Sequence, residues 1–401
     1  MNILVTGVTG YIGSNLVKPI LKDEFKLLNN RKCKVFALVR GQSRDNKILR
    51  DLEDQFPRDQ FQVISGDFID LLNVDQTVII NKLRETLKEH KITTIVHLAA
   101  KMDFYPTDKE AVLKTNVVGV KNLLKASLSS SDKRPLIERF IYASTTETMG
   151  SKESVAPHTP VSELDDDQSV PDYLYGETKR SAEVIVRKFE KKYQLDTIIL
   201  RFTGVYGRND DFSIFELIQA VSYGILCVVP SFANGHVMFT HIDDVVQSVI
   251  LAMVKEKNDR DQTQVLPYTY IIAPNKGMTY SECLVFLNDK LGRQKFYLPF
   301  LSLQACCKLF SVVGSLVYQF KEKPFIFKSY TLSQMTRDRV YSNKRAKQEL
   351  QFQPKYNFKQ GLNLTVDDYI ITERVPLFKI SPVFIFILIF VLVLRFLIKS
   401  L

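Results

Sequence analysis

Short apolar runs alternate with longer stretches of helical period along the first half of the chain. Ile3–Val5, Lys34–Val39, Gln62–Ser65, Thr94–Leu98, Arg139–Ala143 and Thr197–Arg201 are runs of strand length. Between them, apolar residues recur every three or four positions at Tyr11–Leu28, around Asn73–Glu89, at Glu110–Leu128 and at Tyr175–Tyr193. Apolar strands joined by amphipathic helices predict a parallel sheet covered on both faces, because parallel neighbours need long crossovers. The fold class is α/β, a doubly wound sheet. The stretch from Arg40 to Phe61 reads as a polar loop.

The rhythm breaks beyond Gly207. Ile214–Tyr223, Asp244–Val254, Thr279–Leu291 and Phe358–Ile371 keep helical spacing, and Ser342 is placed to cap a short helix reaching Leu350. Val237–Thr240 is a short strand, and Pro267–Ile272 is expected to rejoin the sheet. Tyr297–Phe320, apolar with a few polar residues, reads as a core helix or as a surface that touches lipid, with core favoured. The predicted division is a Rossmann domain at 1–206 and a smaller substrate-binding region at 207–372 that returns to the sheet. A linker at 373–381 and a transmembrane tail at 382–398 follow.

The tail changes the picture most. Ile380–Ile398 is apolar apart from Ser381, Pro382 and Arg395, and as a helix would be about 28 Å long, close to the ~30 Å hydrocarbon core. Arg395 lies near the end, where its side chain can snorkel. With no leader ahead of the first strand, the expectation is a tail-anchored protein, on the endoplasmic reticulum, with its catalytic part in the cytosol. Net charge is +10, which fits a solvated cationic surface and attraction to anionic headgroups; no nucleic-acid motif is present. The five cysteines lack zinc or secreted-disulfide spacing, so no metal site is expected.

Candidate chemistry begins at residue 2. Asn2–Val5 leads directly into Gly7, Gly10 and Gly13, and then into a helix. Glycine is needed where a tight turn lets the backbone approach a pyrophosphate, and the helix start offers unpaired N–H groups to it. Thr9, Tyr11 and Ile12 lie within the same turn. Tyr175 and Lys179 stand one turn apart on a helix after the fifth strand, where a parallel sheet places ligands. An ammonium and an oxidised nicotinamide favour the phenolate, tuning a tyrosine for proton transfer. Ser144, Thr145 and Thr146 close the fifth strand, where a hydroxyl can hold a substrate oxygen.

With the glycine turn, Thr145 and the Tyr175/Lys179 pair in order, residues 2–371 resemble the extended short-chain dehydrogenase/reductase family. Gly66-Asp67, His97-Leu98-Ala99-Ala100, Asn116 with Gly119, Leu200–Gly207, His241–Asp244 and Lys347–Pro354 agree with its landmarks. The resemblance implies Thr145, Tyr175 and Lys179 as catalytic, with Asn116 supporting them. It implies Asp67 and Phe68 beside the adenine, and Leu98, Ala99, Ala100 and Lys101 along the cofactor. Phe202 and Val205 would border the nicotinamide, Phe202 standing where the family usually has proline. The second strand ends at Arg40, where an NAD binder carries Asp or Glu; an arginine suits a 2′-phosphate, so NADP(H) is favoured with NAD(H) possible.

The resemblance leaves three functions open. Val237 stands where nucleotide-sugar relatives usually have an arginine for the diphosphate, and with the apolar tail it favours hydride transfer on a lipid- or sterol-like substrate. Glu147 resembles an acidic residue of sugar dehydratases and decarboxylases, which keeps a nucleotide-sugar epimerase, dehydratase or decarboxylase as the alternative. The third reading is a non-catalytic cofactor-binding membrane scaffold. A homodimer is compatible with each.

Overall fold

The computed structural model describes residues 1–28, 31–69, 75–104, 106–150, 159–168, 170–224, 226, 228–230, 233–256, 268–298 and 335–375. Seven strands form one parallel sheet. Six belong to the first half: β1 (Asn2–Thr6), β2 (Lys34–Val39), β3 (Phe61–Ser65), β4 (Thr94–His97), β5 (Arg139–Thr145) and β6 (Thr197–Phe202). Thr269–Ile272 is the seventh and pairs with β6, so the chain does return to the sheet. The spatial order is Thr269–Ile272, β6, β5, β4, β1, β2, β3. Order reverses between β1 and β4, and a crevice opens at the carboxyl ends there.

Helices cover both faces. On one face α1 (Tyr11–Lys22) and α2 (Lys47–Gln55) pack with Ile242–Val254 and Lys344–Glu349 over Val5, Val35 and Ala37. On the other, α3 (Gln76–Glu89), α5 (Gly119–Ala126) and α6 (Leu174–Tyr193) pack over Leu4, Ile95 and Tyr142. The fourth helix of the first half, α4 (Lys109–Leu113), runs into α5 through a wider turn at Lys114–Val118, so Glu110–Leu128 is interrupted rather than one helix. The expected loop after β2 contains α2: Asn46 caps it through Ile48 N, and Leu49 and Leu52 are buried. Three apolar residues, Ile48, Leu49 and Leu52, among six polar ones made its period hard to read.

Beyond Gly207 a second core gathers Ile214, Ile218, Leu284, Leu287, Leu362 and Val366 from helices Ser213–Ser222, Tyr280–Lys290 and Phe358–Ile371. Two capping boxes, Thr279 with Glu282 and Asn357 with Gln360, fix where two of these helices begin. Asn343 occupies the N-cap position of the helix Lys344–Glu349 without a side-chain cap bond, and Ser342 Oγ accepts from Lys344 N at 3.4 Å. Residues 376–401, hence the tail, and residues 299–334, most of Tyr297–Phe320, lie outside the described residues. Among the described residues no helix is long and apolar enough to cross a membrane.

Candidate active site

The crevice at the sheet's carboxyl edge holds a cleft of about 1650 Å³. Its first wall is the turn between β1 and α1. Gly7 has φ +76°, and a Cβ there would lie 2.8 Å from Ala99 N. A Cβ on Gly13 would lie 2.1 Å from Gly7 O. Gly10 starts α1 with no side-chain cap, which leaves the N–H groups of the first turn for an anion. Thr6 Oγ1 binds His97 Nδ1 at 2.8 Å and accepts from Ala99 N at 3.3 Å, which locks β1 to the segment after β4. These are the features a dinucleotide pyrophosphate requires.

The second wall is made by β5, α6 and β6. Thr145, Tyr175 and Lys179 all line the cleft. Ser144 turns away, its hydroxyl donating to Glu183 Oε1 at 2.5 Å. Thr145 Oγ1 accepts from Glu147 N at 3.2 Å. Lys179 Nζ donates to Ala143 O at 2.5 Å and lies 4.3 Å from the Tyr142 ring centre. Burial pushes the Lys179 ammonium down to about 7, with Glu183 opposing. Burial first, and the Glu147 carboxylate second, hold the Tyr175 phenol above its ordinary value. The expected lowering of Tyr175 by Lys179 is therefore not a property of the protein alone, because the ammonium is turned onto the strand.

Residues distant in sequence build the third wall. Phe104 meets Tyr173 and Tyr175 edge-on at 5.4 and 5.6 Å and stacks on Phe212 at 6.4 Å. Arg339 Nη1 binds Glu147 Oε1 at 2.6 Å, and Asp172 is 3.5 Å from its Nη2. Arg339 arrives on an extended segment that pairs with Val237, its N–H donating to His236 O at 2.7 Å. A cation thus stands next to the position where the sequence has valine.

Of the residues singled out above, Gly7, Thr9, Gly10, Tyr11, Ile12 and Gly13 line the cleft, as do Leu98 and Ala100. Phe202 and Val205 join them. Six do not. Arg40 is exposed at the end of β2. Asp67 accepts from Ile69 N, and Phe68 is buried edge-on to His97. Ala99 touches Gly7 through its backbone. Asn116 holds Lys101 by both backbone groups, at 2.8 and 3.1 Å, and donates to Thr178 Oγ1 at 3.0 Å. It ties the segment after β4 to α6 rather than entering the cleft. Sequence reasoning missed Phe104, Phe212 and Arg339, for which no local signal exists. Among the described residues no group of His, Cys, Asp and Glu is arranged to hold a metal ion.

Residues 3–266 match the model of the NAD dependent epimerase/dehydratase family, and the chain belongs to it. An uncharacterised protein of Methanocaldococcus jannaschii is 30% identical over 261 residues, 64% of this chain and 72% of that one. A Rhizobium meliloti protein named "Probable UDP-glucuronate 4-epimerase" is 25% identical over 256 residues, 62% of this chain and 67% of its own length. The fold is shared with a UDP-glucose 4-epimerase of Thermotoga maritima solved with UDP-glucose (TM-score 0.64, 21% identity, 93% of this chain and 100% of that one). It is shared equally with a dTDP-glucose 4,6-dehydratase of Bacillus anthracis solved with NAD (TM-score 0.64, 22% identity, 93% and 98%). The chain is therefore an NAD-dependent enzyme of the epimerase/dehydratase type.

Proposed function

We propose that the protein oxidises a ring hydroxyl of a nucleotide-diphosphate sugar, as the first half of an epimerisation or elimination, with Thr145, Tyr175 and Lys179 as its catalytic residues. The observation that carries this reading is the cleft itself. It runs from the glycine turn, past Thr145, Tyr175 and Lys179, to Arg339 beside Val237. The absence of arginine at Val237 was the sequence's main argument for a lipid or sterol. Arg339 answers it by offering a guanidinium from the adjoining strand. The names of the relatives support the same substrate class.

The glycine cradle fits a dinucleotide, and the nicotinamide supplies a hydride acceptor when bound. Thr145 Oγ1 holds the substrate hydroxyl while Tyr175 takes its proton. Burial makes Tyr175 a weaker acid than a free phenol, so positive charge at the nicotinamide and at Lys179 must draw its pKa down before it serves as base. The reverse transfer returns the proton from Tyr175 to a keto oxygen. Phe104 and Phe212 give the sugar an aromatic face.

For the cofactor, the reading departs from the charge of Arg40. That side chain is exposed and outside the cleft lining, and the dTDP-glucose 4,6-dehydratase that shares the fold was solved with NAD, so NAD(H) is the assigned cofactor. A higher kcat/KM with NADP⁺ would reverse the choice. The apolar tail of the sequence carries the placement of the enzyme on a membrane facing the cytosol; carbonate extraction that released the full chain would overturn it. The substrate class is tested by calorimetric titration of the NAD-loaded protein. Saturable binding of UDP-glucose or dTDP-glucose is expected, and binding of a sterol alcohol in its place would overturn the reading.

A further inference from the structure

The carboxylate of Glu183 is fully buried on α6, one turn beyond Lys179 and two beyond Tyr175. It is engaged on every side. Oε1 accepts from Ser144 Oγ at 2.5 Å and Arg201 Nε at 3.0 Å. Oε2 accepts from Arg201 Nη2 at 2.6 Å and Arg187 Nη2 at 2.9 Å. Arg201, on β6, is itself without exposure. One buried anion thus joins the ends of β5 and β6 to the helix that bears the tyrosine and lysine. Buried ion pairs are weak sources of stability, since apolar replacements of similar volume often do as well. A network placed directly behind Lys179 invites a reason other than stability.

We propose that Glu183 is a positioning residue of the active site. Its carboxylate clamps the strand carrying Thr145 to the helix carrying Tyr175 and Lys179, and provides the negative charge behind the Lys179 ammonium. The proposal rests on the role given to Lys179 above. Lys179 is faced from β5 by the Tyr142 ring and the Ala143 carbonyl, from β4 by the buried imidazole of His97, and from α6 by Glu183. From β6 the guanidinium of Arg201 sits on the same carboxylate, as Arg187 does from α6. Two guanidiniums without that carboxylate would leave three cations at one buried place. The easiest relief is loss of the proton from Lys179, because burial already pushes it down and Glu183 opposes that push. A neutral lysine neither steadies a phenolate nor offers a charge-assisted hydrogen bond to the bound dinucleotide.

The test is NADH binding, followed by the coenzyme's own fluorescence between about pH 6 and pH 10. The chain contains no tryptophan, so the coenzyme signal stands alone. In the wild type, affinity is expected to fall roughly tenfold across a single transition, and Lys179→Met should abolish that transition. Glu183→Gln should move its midpoint down by about one pH unit or more. Arg187→Met, which removes a partly exposed cation facing the same carboxylate, should move it up. A merely structural Glu183 would lower the melting temperature and leave both midpoints at the wild-type value, which would overturn the proposal. Should Glu183→Gln fail to fold, Arg187→Met decides alone: an upward shift supports the proposal and an unmoved midpoint overturns it. No sugar is needed, so absence of turnover would break the functional reading and leave this result standing.

Discussion

The two halves of the cleft are built by opposite means. The cofactor cradle is contiguous: Gly7, Gly10 and Gly13 sit on one turn, and steric need fixes Gly7 and Gly13. The opposite wall is assembled from Phe104, Phe212, Val237 and Arg339, which meet only through the fold. A contiguous backbone site serves a ligand that does not vary. A wall of separate side chains can change its substrate without disturbing the strands beneath it. Substitutions should therefore separate the halves by what they break.

The largest effect is expected where the halves meet. Tyr175→Phe should lower kcat by about 10²–10⁴-fold while NADH binding stays within about twofold. Retained turnover in a steady-state assay would break the assignment of Tyr175. Next comes the cradle. Gly13→Ala places a methyl against Gly7 O, so NADH affinity should collapse and the melting temperature drop, with overpacking costing about 1–3 kcal/mol or more. Thermal unfolding with and without NADH reads both. A protein that still gains stability from NADH would show that the turn is not the binding site.

Arg339→Met belongs to the other half. It should raise the KM for a nucleotide sugar roughly tenfold to a hundredfold and leave the NADH Kd unchanged, because it strips a partner from Glu147 and from the substrate anion. Equal losses for both ligands would erase the contrast between the walls. The smallest effect is on stability. Asp244 accepts from Lys355 N and Tyr356 N, and burial raises its carboxyl to about 6. Its folded form holds a proton that the unfolded chain releases near pH 4, so this contribution is full below about pH 4 and is lost as pH rises to about 6. Asp244→Asn should flatten that part of the stability profile in denaturant titrations. An identical slope in both proteins would deny the coupling.

The same contrast explains what was legible in the sequence. Strands buried on both faces announce themselves as apolar runs, and β2 begins and ends at the expected Lys34 and Val39. Thr145, Tyr175 and Lys179 were readable because local order along one sheet places them together. The helix at Lys47–Gln55 was not, since its exposed face outnumbers its two buried leucines. Arg339 was invisible because nothing near it marks the strand that carries it to Val237. The inference from Val237 to a lipid substrate loses its footing for that reason: a missing charge can be supplied by a residue a hundred positions away. Asn116 was found as a supporting residue, and its amide ties Lys101 to Thr178.

The most direct test of the central claim is turnover itself. The protein should be loaded with NAD⁺ and offered UDP- and dTDP-sugars in one set of reactions and sterol or lipid alcohols in another, with products followed by mass spectrometry and chromatography. The expected result is conversion of a nucleotide sugar, to an epimer of equal mass or to a product that has lost water or carbon dioxide, by the wild type and not by Tyr175→Phe. Oxidation of a sterol or lipid alcohol with no change in any nucleotide sugar would contradict it.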